Sequence, residues 1–259
     1  MLFRSPGFAS AAWSNILNVM QAGTLARDMM KVDQFVVYQT IGRDAGWLAA
    51  ATSMARRDED EAPHLIYTPE HPFVREKFLT DADHCIRRYG WVFVVAGEGI
   101  KYEDGTPVSA SVVKDKFSNT EFGAMGGASV AITLHRMLSS EFGLRGEFQV
   151  PESLIMSDYV RALPADLGEA YRCGIEAVRL AEKGESGYMV TIDRKSDDPY
   201  EVIYGKVPLS KVAIAARPMP AEYFNEAGNH VSDAFARYMK PLTGEIPEFV
   251  RLKKIMVTK

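Results

Sequence analysis

The sequence predicts an α/β fold, with Rossmann-like parallel sheets flanked by helices, and three observations carry that expectation. Short apolar runs of strand length alternate with longer stretches of helical period. One run, Trp91 to Ala96, is apolar without interruption, as strands covered on both faces of a parallel sheet are. Another, Phe35 to Ile41, ends in Gly42-Arg43 and leads straight into an alanine-rich stretch, the strand-to-helix junction where open α/β sheets bind small molecules.

Taken in order, Ala9 to Met30 reads as a helix, with Ile16, Met20, Leu25 and Met29 near helical spacing. Phe35 to Ile41 follows as a strand and Ala45 to Ala55 as a helix, closed by a charged run from Arg56 to Glu61 that fits a solvated turn. His64 to Tyr67 is a short strand stopped by Pro69 and Pro72, ahead of a helix over Val74 to Tyr89. After the strand at Trp91 to Ala96 come a polar turn at Lys101 to Pro107 and a helix over Ala128 to Leu138 entered through Gly123, Gly126 and Gly127. Ala165 to Glu182 is a strong helix and Ser186 to Asp193 the strand behind it; from Tyr200 onward the pieces shorten to Val202–Tyr204, Ala213–Ala216 and a helix at Asp233 to Met239.

The bulk composition of the 259 residues excludes several classes of protein. With 47% hydrophobic and 25% charged residues the chain is globular, and a formal charge of −4 gives no electrostatic reason for a nucleic acid or anionic membrane partner. No apolar run reaches the roughly 18 to 20 residues of a membrane span. The two cysteines, Cys85 and Cys173, lie far apart and in no metal-ligand spacing, so a reduced, cytoplasmic protein is expected.

Two residues stand out chemically. Arg43 offers a planar, permanently charged fork to a phosphate or carboxylate, and a cation at a helix start is ill placed against the positive end of the macrodipole unless an anion binds there. Glu98, between Gly97 and Gly99 directly after a buried strand, sits where a carboxylate can accept hydrogen bonds from sugar hydroxyls, or can simply be a solvated turn residue. The histidines at 64, 71, 84, 135 and 230 show no paired-ligand spacing, the Gly123–Gly127 segment lacks a phosphate-loop pattern, and no GxSxG elbow occurs.

The chain resembles the phosphofructokinase family, its pyrophosphate-dependent branch most closely. The matching blocks are PGFASAA from Pro6, TIGRDAGWLAAA from Thr40, VFVVAGEGI from Val92, EAYRCGIEAVRLAEKGESGYMVTI from Glu169 and GNHVSDAFARYMKPL from Gly228. The resemblance implies a site for fructose 6-phosphate. Ile41, Gly42 and Arg43 fill the family's Met-Gly-Arg position, with Arg43 on the substrate phosphate and stabilising charge on the transferring phosphoryl group; Glu98 matches the substrate-binding glutamate. A Gly-(His or Tyr)-x-Gln-Arg element is matched best by Gly146 to Val150. It retains Gln149 but has Glu147 and Val150 where the family contacts the sugar phosphate, a departure for which Arg145 compensates if it is shifted into the site.

The same resemblance implies a sugar-phosphate-binding domain over residues 6–146, with residues 147–259 holding segments that return to a phosphoryl-donor domain plus a C-terminal extension. The reaction implied is transfer of a phosphoryl group from pyrophosphate to the 1-hydroxyl of fructose 6-phosphate in glycolysis. The alternatives are ATP as donor and a non-catalytic sugar-phosphate-binding paralogue. Mg2+ is the implied cofactor, with no metal ligand assigned within this chain, and a homo-oligomer is the implied assembly. Because the family's glycine-rich donor loop and catalytic aspartates precede the block at Pro6, an N-terminally truncated chain is expected, lacking the donor site and inactive alone.

Overall fold

A computed structural model describes residues 3–109, 129–212 and 216–248. The elements are β1 (Phe3–Arg4), α1 (Phe8–Met29), β2 (Phe35–Thr40), α2 (Trp47–Ala51, extended by a 3₁₀ turn over Thr52–Ala55), β3 (Leu65–Tyr67), α3 (Arg75–Tyr89) and β4 (Val92–Gly97). They continue with α4 (Val130–Phe142), β5 (Gly146–Gln149), α5 (Glu152–Met156), a 3₁₀ turn (Tyr159–Arg161), α6 (Pro164–Glu182), β6 (Tyr188–Asp197), β7 (Tyr200–Pro208) and α7 (Asp233–Thr243).

Four parallel strands in the order β3-β4-β2-β5 form the central sheet, flanked by helices, as the apolar runs predict. Every residue of β2 and β4 is buried, and their alternating side chains feed two different clusters. Phe35, Val37, Val92 and Val94 pack with Phe78 and Leu79 of α3 and Leu134 and Leu138 of α4. Val36, Tyr38, Phe93 and Val95 face the other way, onto Ile16, Val19 and Met20 of α1. A third cluster joins Phe235, Met239 and Leu242 of α7 to Ala9 and Ala12 of α1 and Ala50 and Ala51 of α2. Both faces of the sheet are therefore dry, which is what allows an uninterrupted apolar strand such as β4.

The later strands depart from the parallel pattern. β6 and β7 pair antiparallel as a hairpin, with β1 antiparallel on the other side of β6. The segment Gly146–Gln149, read from sequence only as a binding motif, is the edge strand β5 on β2. The glycine-rich stretch from Gly123 to Gly127, residue 128 and residues 213–215 lie outside the described residues. Among the described residues no helix is long and apolar enough to cross a membrane.

Candidate functional site

The site is assembled by register. β2 and β4 are adjacent and parallel with Thr40 opposite Gly97, so the turn after β2, Ile41-Gly42-Arg43, and the residue after β4, Glu98, leave the sheet side by side at its carboxyl edge. A backbone bond from Glu98 N to Thr40 O, 3.0 Å, carries the ladder one step past the strands. Glu98 then turns its carboxylate onto the turn itself, where Oε1 accepts the Gly42 N–H at 3.0 Å. Gly42 has φ of +139°, a backbone state that side chains disfavour, and Gly99 is packed so closely that a Cβ there would lie 1.7 Å from the Arg43 carbonyl oxygen. The GEG sequence is thus a close-approach device, and Arg43 projects from it exposed to solvent.

Glu98 is half-buried and not a solvated turn residue. Burial pushes its carboxyl group above the ordinary range; the Gly42 N–H draws it down, the Glu152 charge raises it further, and the guanidinium of Arg43 lowers it. Arg43 and Glu98 are therefore close enough to feel one another. What results is a fixed carboxylate acceptor beside a solvent-exposed guanidinium, at the edge where open α/β sheets hold their ligands.

The helix start expected beside Arg43 is built differently. α2 begins at Trp47, and the amide that precedes it, Gly46 N, is already taken by the carboxylate of Glu70 at 2.9 and 3.1 Å. The anion that this helix end calls for is a side chain of the protein.

Arg145 is not brought to the site. β5 runs parallel to β2 with Gly146 opposite Phe35, which puts Arg145 at the amino edge of the sheet, on the order of 25 Å from Gly42 at about 3.3 Å per strand residue. There its carbonyl accepts Gln34 N–H at 2.9 Å and its side chain lies 3.4 Å from Asp33. Glu147, opposite Val36, is exposed near that same edge, and Val150 packs against the sheet core. Gln149, opposite Tyr38, is half-buried and lies three residues short of Ile41 in the register.

The sequence reading missed the opposite wall. A cavity of about 540 Å³ opens between the first turns of α1 and residues 155–170, and meets the Arg43 turn only through Ile41. Its polar lining is tied down: Ser14 Oγ donates to Asp158 at 2.6 Å, and Asp166 accepts both Ser10 N–H at 2.6 Å and the Ser10 hydroxyl at 2.7 Å. Behind it, Arg161 donates to Asn18 Oδ1 at 2.6 Å, and the amides of Asn18 and Asn15 bracket the Tyr38 hydroxyl, whose pKa burial pushes up to about 12. Deeper still, the buried Glu152 accepts from Gln39 at the end of β2, while Gln39 Oε1 accepts Ser129 Oγ at 2.8 Å and Ala131 N–H at 3.0 Å. No motif marks these residues; five-residue α5 and the 3₁₀ turn after it have no periodicity to read. Among the described residues no group of three His, Cys, Asp or Glu side chains is placed to hold a metal ion.

With the parallel sheet and the carboxyl-edge pair established, the relationship to known proteins follows. Residues 3–146 match the profile of the phosphofructokinase family, and the chain belongs to that family. It is 33% identical to a protein of Xanthomonas campestris pv. campestris named pyrophosphate--fructose 6-phosphate 1-phosphotransferase, across 98% of this chain and 62% of that one. A Halomonas elongata protein of the same name is 32% identical across 92% of this chain and 56% of its own. The crystal structure of a pyrophosphate-dependent phosphofructokinase from Marinobacter aquaeolei superimposes with a TM-score of 0.77 at 31% identity, over 98% of this chain and 62% of that one. The chain thus spans 56 to 62% of the length of these proteins.

Proposed function

We propose that the Ile41–Arg43 turn and Glu98 form the sugar-phosphate side of a phosphotransferase that moves a phosphoryl group from pyrophosphate to the 1-hydroxyl of fructose 6-phosphate, releasing inorganic phosphate. The observation that carries the proposal is the 3.0 Å bond from Gly42 N to Glu98 Oε1, because it joins an anion-reaching arginine to a sugar-reaching carboxylate in one rigid turn. Pyrophosphate is preferred as donor on the names of the relatives.

In this reading Arg43 pairs with phosphate oxygens through two N–H groups and stays charged throughout, so it offsets the negative charge that spreads over the equatorial oxygens of the transferring group. Glu98 accepts hydrogen bonds from sugar hydroxyls with the oxygen not engaged by Gly42, which fixes the ring and hence the direction of the attacking hydroxyl. Phosphoryl transfer asks a protein chiefly for positioning and charge neutralisation, and these two residues supply one of each. Magnesium, when bound, neutralises donor phosphates; no residue described above is assigned to it. Residues 6–146, continued to the end of β5, make up the sugar-phosphate-binding domain in this proposal, and a homo-oligomer in the cytoplasm is its setting.

The test is fructose 1,6-bisphosphate formation with pyrophosphate and with ATP in parallel, by the 259-residue chain and by the same chain joined to any contiguous upstream coding sequence. Arg43→Ala is expected to lower kcat/KM by roughly 10²- to 10³-fold, the usual cost of removing one charge-stabilising donor. Glu98→Gln is expected to raise KM for the sugar phosphate, and the acid limb of the wild-type profile should lie above the ordinary carboxylate range, the direction in which burial moves Glu98. Fructose 6-phosphate affinity and turnover untouched by both substitutions would sink the proposal.

A further inference from the structure

The turn that carries Arg43 is anchored at both ends by carboxylates. At Gly42 the anchor is Glu98. At Gly46 it is Glu70, whose two oxygens receive the same N–H at 2.9 and 3.1 Å. Glu70 follows β3 and has no place in the proposed chemistry. Its Oε1 also accepts the Met219 N–H at 3.0 Å, and next to it Trp47 Nε1 donates to the Arg217 carbonyl at 3.0 Å. One carboxylate therefore ties together the Arg43 turn, the exit of β3 and the segment at residues 217–219.

We propose that Glu70 is a positioning residue for Arg43, an inference that rests on the role given to Arg43 above. Gly46 has no side chain with which to cap the helix that follows, and Glu70 supplies the missing acceptor and the negative charge favoured at a helix start. Mechanically this matters because the exposed Arg43 side chain takes its direction from a backbone that is held at Gly42, at the close approach of Gly99 to the Arg43 carbonyl, and at Gly46. With Gly46 released, the span loses its downstream carboxylate anchor, and the direction in which Arg43 leaves the backbone is less tightly fixed. A shift of an ångström in such a group costs up to 10²-fold in rate. The tie to Met219 makes the 217–219 segment part of the same support, so its seating is read out at Arg43.

The experiment is a double-mutant cycle in the catalytically competent protein that carries these residues, with E70Q, R43A and E70Q/R43A compared for kcat/KM and for melting temperature. E70Q retains size but presents one oxygen and no charge to two N–H groups. It is expected to lower kcat/KM about 10-fold, and to do nothing further in the R43A background, because the group it positions is gone. E70D, which keeps the charge one methylene short, is expected to fall between wild type and E70Q and keeps the cycle measurable if E70Q does not fold. Equal losses from E70Q in both backgrounds would make Glu70 a general structural residue and overturn the proposal, as would unchanged activity in E70Q and E70D. If R43A itself retains wild-type kcat/KM, the role of Arg43 falls first and the Glu70 proposal with it.

Discussion

Along β4 every residue from Val92 to Gly97 is buried, whereas along the nineteen residues of α6 the buried ones are Asp166 and Glu169, both of them charged. The contrast extends to the neighbours of each. The parallel sheet is covered on both faces by aliphatic and aromatic side chains, while α6 leaves Leu167, Tyr171 and Val178 between 59 and 73% exposed. The polar contacts that attach this arm to the body are Ser10 to Asp166 and Arg194, which donates to the Tyr238 carbonyl at 2.9 Å and lies 4.3 Å from the Tyr238 ring centroid, with Tyr200 packed at the margin of the third cluster. One region is held by area removed from water and the other by a few directional contacts. The candidate site sits at the edge of the first, where a turn can be fixed within fractions of an ångström because the strands beneath it are packed solid.

The sharpest way to break this comparison is to delete a large side chain from each region. Phe93, fully buried between α1 and the sheet, is expected to cost about 3 to 5 kcal/mol on truncation to alanine. Tyr171, 73% exposed on α6, is expected to cost less than about 0.5 kcal/mol. Denaturant melts of the two variants decide it, and similar losses would mean that the arm contributes apolar stability comparable to that of the sheet.

A second measurement uses pH. His64, at the start of β3, is buried against Tyr89 and Trp91, accepts the Phe93 N–H through Nδ1 at 2.9 Å, and has its pKa lowered by that burial and by the nearby Arg56 charge from 6.5 to about 3. A histidine depressed in the folded state stays neutral there while the unfolded chain takes up a proton below its ordinary pKa. Its contribution is therefore complete above about pH 6.5 and is lost as pH falls from there toward 3, at up to about 1.4 kcal/mol per pH unit. Stability at pH 5 should be lower than at pH 7 by about 2 kcal/mol from this group. His64→Asn, which keeps an acceptor for Phe93 N–H, should flatten that slope; an unchanged slope would assign the loss elsewhere. The arm from Pro164 to Pro208 contains no histidine, so this acid sensitivity belongs to the sheet region.

The same division explains what was legible in the sequence. β2 and β4 could be read because a strand covered on both faces has to be apolar at every position, and Arg43 and Glu98 could each be placed just past such a strand; that the two strands are neighbours could not. β5 could not: Gly146-Glu147-Phe148-Gln149 is a short edge strand with exposed positions, and its sequence carries no apolar run. The hairpin was foreseen only as a strand and a shorter piece, since Arg194 to Asp197 is polar although β6 continues through it, paired to β7. Asp158, Arg161 and Glu152 were missed because they act through tertiary hydrogen bonds to α1 and β2, and a buried carboxylate looks in sequence like any surface acid.

Arg145 offers the smallest effect and the most direct check on how the site is placed. As a motif residue it belongs with the sugar phosphate; by register it lies beside Gln34, at the amino edge, with the whole length of β2 between it and Gly42. A cation there, 77% exposed and 3.4 Å from Asp33, is screened by solvent and makes a surface pair worth about 0 to 1 kcal/mol. Across roughly 25 Å, about three Debye lengths at physiological salt, its field at the carboxyl edge is negligible. Arg145→Ala is thus expected to leave the KM for fructose 6-phosphate within about 2-fold of wild type and stability within about 1 kcal/mol. A tenfold rise in KM would mean that β5 is registered differently against β2, and would move the sugar-phosphate site away from the Arg43–Glu98 pair.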